Sequence, residues 1–259
     1  MRRRAAGRPV ARAAARMYTG TMSDESHPRG PRPPEEREGQ EFARITLDNA
    51  PWRSVLHLAT ALDFAKDEAV IPEDAPPLFL YFLERGEVRM LRGDPGGQEK
   101  TLWYVDPGHL FGETPLLDCR TSRNRHVCTR PSRVYAFRRE TVLDEIFPTR
   151  PDLMLNLMET LACKVRILSN QIVGMSLDEL PDRICRYLHL HAERLGERDG
   201  ETVLNPRLNQ QELAQLLGVH RVTLNKALRD LEHEGVLGGY RRDEVRVLDL
   251  ARFLTHALS

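Results

Sequence analysis

The sequence has 259 residues, a length that suits two modest domains better than one. Its 38 basic and 38 acidic side chains cancel, so the chain has no bulk charge to attract nucleic acid, and any such affinity must come from local patches. No apolar run is long enough to span a bilayer. The four cysteines lack the spacing of a metal site or a disulfide framework, although a redox role for Cys119 and Cys128 stays open. We expect a cytoplasmic protein with reduced thiols and no membrane association.

Residues 1–42 differ in composition from the rest of the chain. They are rich in Arg, Ala, Gly, Pro and Glu and contain almost no aromatic or β-branched residues. Such a segment buries too little apolar surface to offset the entropy lost on ordering, so we predict a disordered tail. Its basic start, MRRRAAGRPVARAAAR, fits a nucleic-acid-contacting arm, a transit-like sequence or a tract without specific function, and translation from Met22 would leave it outside the protein.

Residues 43–150 change to short apolar runs separated by turns that contain Gly or Pro. A short helix is predicted at 51–56. Strand-length runs follow at 62–64, 69–71, 78–83, 88–91, 101–105, 127–128 and 134–137. Many short strands at near-regular spacing predict an antiparallel roll or barrel. A helix at 138–147, broken by two prolines, closes this domain.

A long helix is predicted from Asp152 to about Ser176. Apolar residues recur along it at alternating spacings of four and three: Met154, Met158, Leu161, Val165, Leu168, Ile172 and Met175. This seam is typical of a helix that pairs with a copy of itself. The alternative is that the seam packs on the roll, but Leu153, Leu157, Cys163 and Ile167 offer another apolar face for that contact. We predict a parallel homodimer, with the dimerisation helix and hinge at 151–180.

Residues 181–259 are predicted to form a DNA-binding domain. A helix at 182–195 is expected to end at Gly196, with a polar connector at 197–205. Two short helices follow within 209–235, where Asn209 and Glu212 form a capping-box pattern and Gly218 is a natural stop. Two helices joined by such a turn form a helix-turn-helix, whose second helix enters the DNA major groove.

The segment after the second helix strengthens this interpretation. Residues 236–247 read as two short strands around a basic turn, a "wing", and 250–258 as a terminal helix. The alternative is an ordinary helical hairpin whose basic residues form a solvated face. The order helix, turn, helix and wing favours DNA binding.

The whole order of elements resembles the Crp/Fnr superfamily of bacterial transcription regulators. The resemblance covers about residues 43–250 and rests on GHLFGETPLLDCRTSRNR, the heptad helix, DRICRYL and LNQQELAQLLGVHRVTLNKALRDLEHEGVL. It implies an α+β fold with an N-terminal antiparallel β-roll of the cyclic-nucleotide-binding type (a double-stranded β-helix), a long dimerisation helix and a C-terminal winged helix-turn-helix. It also implies a homodimeric regulator, not an enzyme, that binds double-stranded DNA, responds to a small effector and acts with RNA polymerase.

The resemblance also points to an effector site in the roll. Gly112 and Glu113 stand in the family's phosphate-binding cassette, and Arg123 lies at the family's usual distance beyond them. There Glu113 would accept a hydrogen bond from a ribose hydroxyl and Arg123 would pair with a phosphate oxygen. This chain departs from the cassette at Asn124, where a small hydroxyl residue is usual, and at Pro115 and Arg125, where small residues are usual.

The effector itself stays open at this point. A cyclic nucleotide, another small molecule such as an anion or aromatic acid, and haem or redox sensing all remain alternatives. Further candidates for effector contact are Trp103 on a roll strand and Ser169 and Asn170 on the long helix. Haem could use His57, His109, His126 or a cysteine, whereas an Fnr-type iron–sulfur cluster lacks its N-terminal cysteines.

The recognition helix resembles a particular branch of the superfamily. Arg221 matches the first arginine of the family's Arg-Glu-x-x-x-Arg pattern, Lys226 takes the place of the last, and Val222 replaces the glutamate. HRVTLNK is similar to the HxVT pattern of halorespiration and related anaerobic regulators, which implies an A/T-rich palindrome. We expect DNA contacts from Gln211, Arg221, Val222, Thr223, Asn225, Lys226, Arg241 and Arg242, with the wing arginines Arg241, Arg242 and Arg246 on phosphates.

Two rivals from other classes remain. A cupin-like enzyme fused to a DNA-binding tail would need a metal set, for which His109 and Glu113 are near each other in sequence but lack the partners of a facial triad. The second rival is an architectural DNA binder without an effector.

Overall fold

The architecture is α+β and consists of an antiparallel roll, a long helix and a helix-turn-helix domain. The computed structural model describes residues 43–45 and 47–258. The tail predicted for 1–42 lies outside the described residues. No helix in the described part of the chain combines the length and the apolar character needed to cross a membrane.

The roll is one sheet built around two long strands. It comprises a 3₁₀ helix α1 (Ala50–Leu58) and strands β1 (Thr60–Phe64), β2 (Ala69–Ile71), β3 (Phe79–Gly93), β4 (Glu99–Val105), β5 (Leu110–Phe111) and β6 (Arg125–Arg138), with helix α2 (Glu113–Asp118) between the last two. The strand order is β1-β6-β3-β4; β2 also pairs with β6, and β5 with β3. All these pairings are antiparallel, as the near-regular spacing of short strands predicts.

The structure corrects the prediction of separate strands at 78–83 and 88–91, and at 127–128 and 134–137. Each pair is one continuous strand, β3 or β6. The expected turn at 84–86 is a bulge, because the pairing register between β3 and β6 shifts there and Gly86 has a φ of 97°. A Cβ on Gly86 would lie 2.2 Å from the Ser132 hydroxyl, so only glycine allows the strands to approach this closely.

Helices connect the roll to the second domain. After a π-helical turn at Thr141–Ile146 and α3 (Phe147–Thr149), α4 runs from Pro151 to Leu177, as predicted within two residues. Its buried side chains include Leu153, Leu157, Cys163 and Ile167, the apolar face predicted to pack on the roll. The predicted dimer seam lies on the exposed side of α4 in the single chain.

The C-terminal domain is a helical core with a small sheet. It comprises α5 (Leu180–His191), β7 (Glu193–Arg198), β8 (Glu201–Asn205), α6 (Gln210–Leu217), α7 (Arg221–His233), β9 (Val245–Val247) and α8 (Leu250–Leu258). The predicted polar connector at 197–205 and the predicted end of the helix at 195 are wrong. The chain leaves the helix after His191 and forms a β7–β8 hairpin around Asp199 and Gly200, both with positive φ. In the wing, β9 pairs mainly with β8 and meets the first predicted wing strand at a single bridge, Leu237 to Val247.

Candidate DNA interface and effector site

The helix-turn-helix begins at a complete capping box. The Asn209 side chain accepts hydrogen bonds from the backbone N–H groups of Gln211 and Glu212, each at 2.9 Å, and Glu212 Oε2 accepts from the Asn209 backbone N–H at 2.7 Å. Gly218 ends α6 with a φ of 69°. These local interactions fix where α6 begins and ends, as the sequence predicts.

The recognition helix α7 has one face buried in the domain, and the residues at its N-terminal end are exposed. Leu224, Leu228 and Leu231 are buried in the domain core. Arg221, Val222, Thr223 and Lys226 are exposed, and Val222 is 78% accessible. An apolar side chain this exposed gains nothing from the fold, but it fits contact with a thymine methyl group. Asn225 is half-buried and its Oδ1 is buried without a hydrogen-bond partner.

Four of the predicted DNA contacts meet in one open cleft. Gln211, Arg221, Arg241 and Arg242 line it together with Tyr240, and its volume is about 380 Å³. Arg242 is only loosely paired, 3.9 Å from Glu212. Arg246, also expected on phosphate, instead pairs with Glu201 at 3.0 Å. The cleft therefore gathers three arginines from the recognition helix and the wing, an arrangement suited to a DNA backbone.

Contacts between the roll and the helix-turn-helix are the feature that sequence reasoning missed. Arg89 on β3 donates to Gln215 Oε1 at 2.9 Å, and Lys100 on β4 donates to the carbonyl of Leu216 at the end of α6. Burial, with Arg183 nearby, lowers the pKa of Lys100 to about 8. Because the two residues of each pair are more than a hundred positions apart in sequence, no local pattern predicts these contacts.

A second cleft lies between the β3–β4 hairpin and the recognition helix. Its volume is about 620 Å³, and its lining includes Arg92, Gln98, His220, Arg221 and Val222. Gln98 Nε2 lies 2.7 Å from His220 Nδ1, at the N-terminal end of α7. The roll thus contacts the start of α7 directly.

In the roll, the structure places Glu113 in a buried ion pair. Its Oε2 accepts from Lys164 Nζ at 2.6 Å, and both side chains are at most 5% exposed. Lys164 also donates to the Leu110 carbonyl at 3.2 Å. Gly112 holds a φ of 84°, and a Cβ there would lie 2.9 Å from the Tyr81 ring. Lys164 was not among the predicted effector contacts. The sequence feature that could have identified Lys164 is its position next to Cys163, on the side of α4 that faces the roll.

The other predicted effector contacts do not gather around Glu113. Arg123 is exposed and lies 3.6 Å from Glu73. Asn124 is half-buried, and its backbone N–H donates to the Ser122 hydroxyl at 3.1 Å. Ser169 and Asn170 are exposed on α4, away from the face that packs on the roll. The neighbouring Arg125 pairs with Glu99 at 2.5 Å.

Trp103 is the predicted contact that does face the roll interior. Its side chain is 5% exposed, and Lys164 Nζ lies 5.8 Å from its ring centroid. His126 is buried beside Phe111, with ring centroids 5.4 Å apart. Burial and the charge of Lys164 lower the pKa of His126 to about 3, so it is neutral at pH 7.

The candidate metal and haem ligands are dispersed. His57 is exposed, the half-buried His109 has its Nδ1 3.0 Å from the Asp106 carbonyl, and His126 is buried. Among residues 43–45 and 47–258, no three His, Cys, Asp or Glu side chains form a group that could hold a metal ion. Of the four cysteines, Cys119 is exposed and the other three are buried.

Comparison with known proteins gives the family. The Cyclic nucleotide-binding domain matches residues 61–147 and the Crp-like helix-turn-helix domain matches residues 182–255. The chain is 30% identical over 175 residues to the CRP-like cAMP-activated global transcriptional regulator of Mycobacterium tuberculosis, covering 67% of this chain and 78% of that protein. It is 33% identical over 160 residues to the Cyclic AMP receptor protein of Thermus thermophilus, covering 61% and 70%.

Solved structures show the same fold. CooA from Carboxydothermus hydrogenoformans aligns with a TM-score of 0.69 at 19% identity, covering 84% of this chain and 99% of the CooA chain. CprK complexed with OCPA aligns with a TM-score of 0.65 at 21% identity, covering 82% and 97%. Taken with the two matched domains and the relatives above, these likenesses establish that the chain belongs to the Crp/Fnr family of DNA-binding transcription regulators, in which an effector-binding domain is joined to a helix-turn-helix.

Proposed function

We propose that the protein is a homodimeric, effector-controlled transcription regulator that reads a palindromic, A/T-rich promoter site. The observation that carries the proposal is the apolar seam on α4. Met158, Val165, Ile172 and Met175 are each more than 50% exposed in the single chain, on a helix whose opposite face is already buried against the roll. A seam spanning about 30 Å of helix gains stability only by pairing with another helix.

Dimerisation would present two recognition helices with two-fold symmetry. Two such helices match half-sites about one helical turn, roughly 34 Å, apart. Arg221 would read a guanine edge, Val222 a thymine methyl and Asn225 an adenine edge. The cleft arginines Arg241 and Arg242 would contact phosphates and set the salt dependence of binding.

Effector control would act through α4. An effector bound between the roll and α4 changes how the two seams pack, and the hinge between α4 and α5 passes this change to the recognition helices. This model requires only that the effector binds one of the two arrangements more tightly than the other. Because its partners are DNA and RNA polymerase, we place its action in the cytoplasm.

Dimerisation is tested by light scattering after size-exclusion chromatography. Ile172→Glu puts two charges into the proposed seam, and we expect a monomer, since a buried unpaired charge is costly. Glu159→Lys is the matched control: residue 159 is exposed on α4 outside the seam, so this variant should remain dimeric. A dimeric Ile172→Glu protein would contradict the seam assignment.

DNA reading is tested by selection from random duplexes, followed by binding measurements on the selected site. Arg221→Ala should weaken binding by about 1–3 kcal/mol and relax one base position. Arg229→Ala is the control, since Arg229 is exposed on the same helix two turns further on. A G/C-rich or non-palindromic selected site would refute the proposed base reading.

A further inference from the structure

The short segment 43–45, which precedes the first helix of the roll, takes part in the cores of both domains. Ala43 is fully buried in the apolar cluster of the helix-turn-helix domain, which also contains Leu188 of α5. Two positions later, Ile45 is buried in the core of the roll. The segment lies before both matched domains, so neither match gives it a role. Its position nevertheless joins the two halves of the molecule.

Arg44 fixes this segment to the roll. Its side chain is 15% exposed, and its guanidinium pairs with Asp106 at 2.5 Å and with Glu87 at 3.0 Å. The same group lies 5.1 Å from the centroid of the Tyr104 ring. The Tyr104 backbone N–H donates to the Ala43 carbonyl at 2.8 Å, which joins the segment to the edge of β4. A guanidinium held between two carboxylates is a specific anchor, because its planar fork fixes the geometry of both partners.

The other side of the segment faces helix α5, the first helix of the DNA-binding domain. Tyr104 belongs to β4, but its side chain is buried in the same apolar cluster as Ala43 and Tyr187 of α5. Burial and the nearby charge of Arg44 lower the pKa of His191, the last residue of α5, to about 4. The segment therefore lies against both ends of the connection: it is bonded to the roll and packed on α5.

We propose that the segment 43–45 is an interdomain clasp and that Arg44 is a positioning residue for DNA reading. The inference rests on the proposed function, because orientation matters when two recognition helices must match two half-sites. With the clasp closed, Arg221, Val222 and Lys226 are exposed, so this arrangement leaves the DNA-reading surface free. A domain held in its binding orientation loses less freedom on binding than one that swings about the hinge after α4. The clasp therefore raises DNA affinity by preorganisation, without contacting DNA.

Two variants of the full chain open the clasp from opposite sides. Arg44→Met removes both ion pairs to the roll, whereas Ala43→Asp keeps Arg44 and places a charge in the contact with the helix-turn-helix domain. Arg130→Met is the matched control, because Arg130 is the second cation beside Glu87, at 3.6 Å, and its side chain is 62% exposed. The roll should fold in Arg44→Met, since Glu87 keeps Arg130 and the carboxylate of Asp106 is 34% exposed. If Arg44→Met nevertheless fails to fold, Ala43→Asp provides the test.

Amide hydrogen exchange without DNA tests the clasp itself. In both clasp variants, the Tyr104 amide loses the Ala43 acceptor and α5 loses a packing partner. We expect these amides to exchange about fivefold faster or more than in wild type, while strand β1 stays unchanged. Arg130→Met should exchange like wild type throughout. Wild-type exchange of Tyr104 and α5 in a folded clasp variant would overturn the proposal.

Binding to the selected duplex at several salt concentrations tests the positioning role. Both clasp variants should bind about tenfold more weakly than wild type, and Arg130→Met should bind as wild type does. The base preferences and the slope of log Kd against log salt should not change in Arg44→Met, because Arg44 contacts no phosphate. Arg241→Ala, in contrast, should reduce that slope by about 1.

The outcomes separate the clasp from other roles of Arg44. A reduced salt slope or altered base preferences in Arg44→Met would make Arg44 a DNA contact and reject the clasp, as would unchanged DNA affinity. A wild-type protein that binds no duplex would reject the proposed function and with it the positioning role. The exchange data decide separately whether the clasp joins the two domains.

Discussion

The buried pair Glu113–Lys164 makes a prediction whose size follows from the structure. Both side chains are at most 5% exposed and their charged atoms lie 2.6 Å apart. At an effective dielectric of about 20, such a pair attracts by about 6 kcal/mol. Lys164→Met removes the cation and leaves a buried carboxylate whose other side-chain contact is Thr114 at 3.4 Å. Breaking a buried pair in this way costs about 3–5 kcal/mol.

We therefore expect Lys164→Met to lose about 3–5 kcal/mol of stability relative to wild type. Urea unfolding of both proteins at the same protein concentration measures this difference. The double variant Glu113→Gln/Lys164→Met is the matched control, because it leaves no unpaired charge and should recover most of the loss. A single variant that loses less than about 1 kcal/mol would refute the reasoning.

Two further predictions concern other parts of the molecule. Lys100→Met removes the donor to the Leu216 carbonyl. Amide hydrogen exchange at the end of α6 and in the following turn should therefore become faster, while exchange in α8 should stay unchanged. Unchanged exchange in the turn would contradict a stabilising contact. His126 is held neutral by burial and by Lys164, with a pKa of about 3 against 6.5 when unfolded, so the unfolded state binds more protons below pH 6.5. Between pH 6.5 and 5 this residue should therefore lower the stability by about 2 kcal/mol. His126→Phe should remove that part and leave a share of similar size from His191, whose pKa is about 4. An acid-unfolding curve identical to wild type would rule out this role for His126.

Patterns formed by residues close together in sequence predicted the helix ends and helix faces well. The capping box at Asn209, the stop at Gly218 and the two faces of α4 each depend on residues within a few turns of one another, so local spacing contains the information. The predictions that failed involve pairing across distance. The sequence at 84–86 resembles a turn, but pairing with β6 makes these residues a bulge within β3. The residues after His191 form a hairpin, because β9 pairs with β8 and extends its sheet.

The sequence by itself determined the order of the domains, the helix-turn-helix and the seam, because helical periodicity and capping residues act locally. Only the tertiary structure decided the environment of the candidate effector site. Glu113 appeared as a free acceptor for a ribose and Arg123 as a phosphate ligand. The fold instead brings Lys164, 51 residues away, onto Glu113 and leaves Arg123 exposed. Burial and charge neutralisation depend on which distant side chains meet, so local sequence patterns do not predict them.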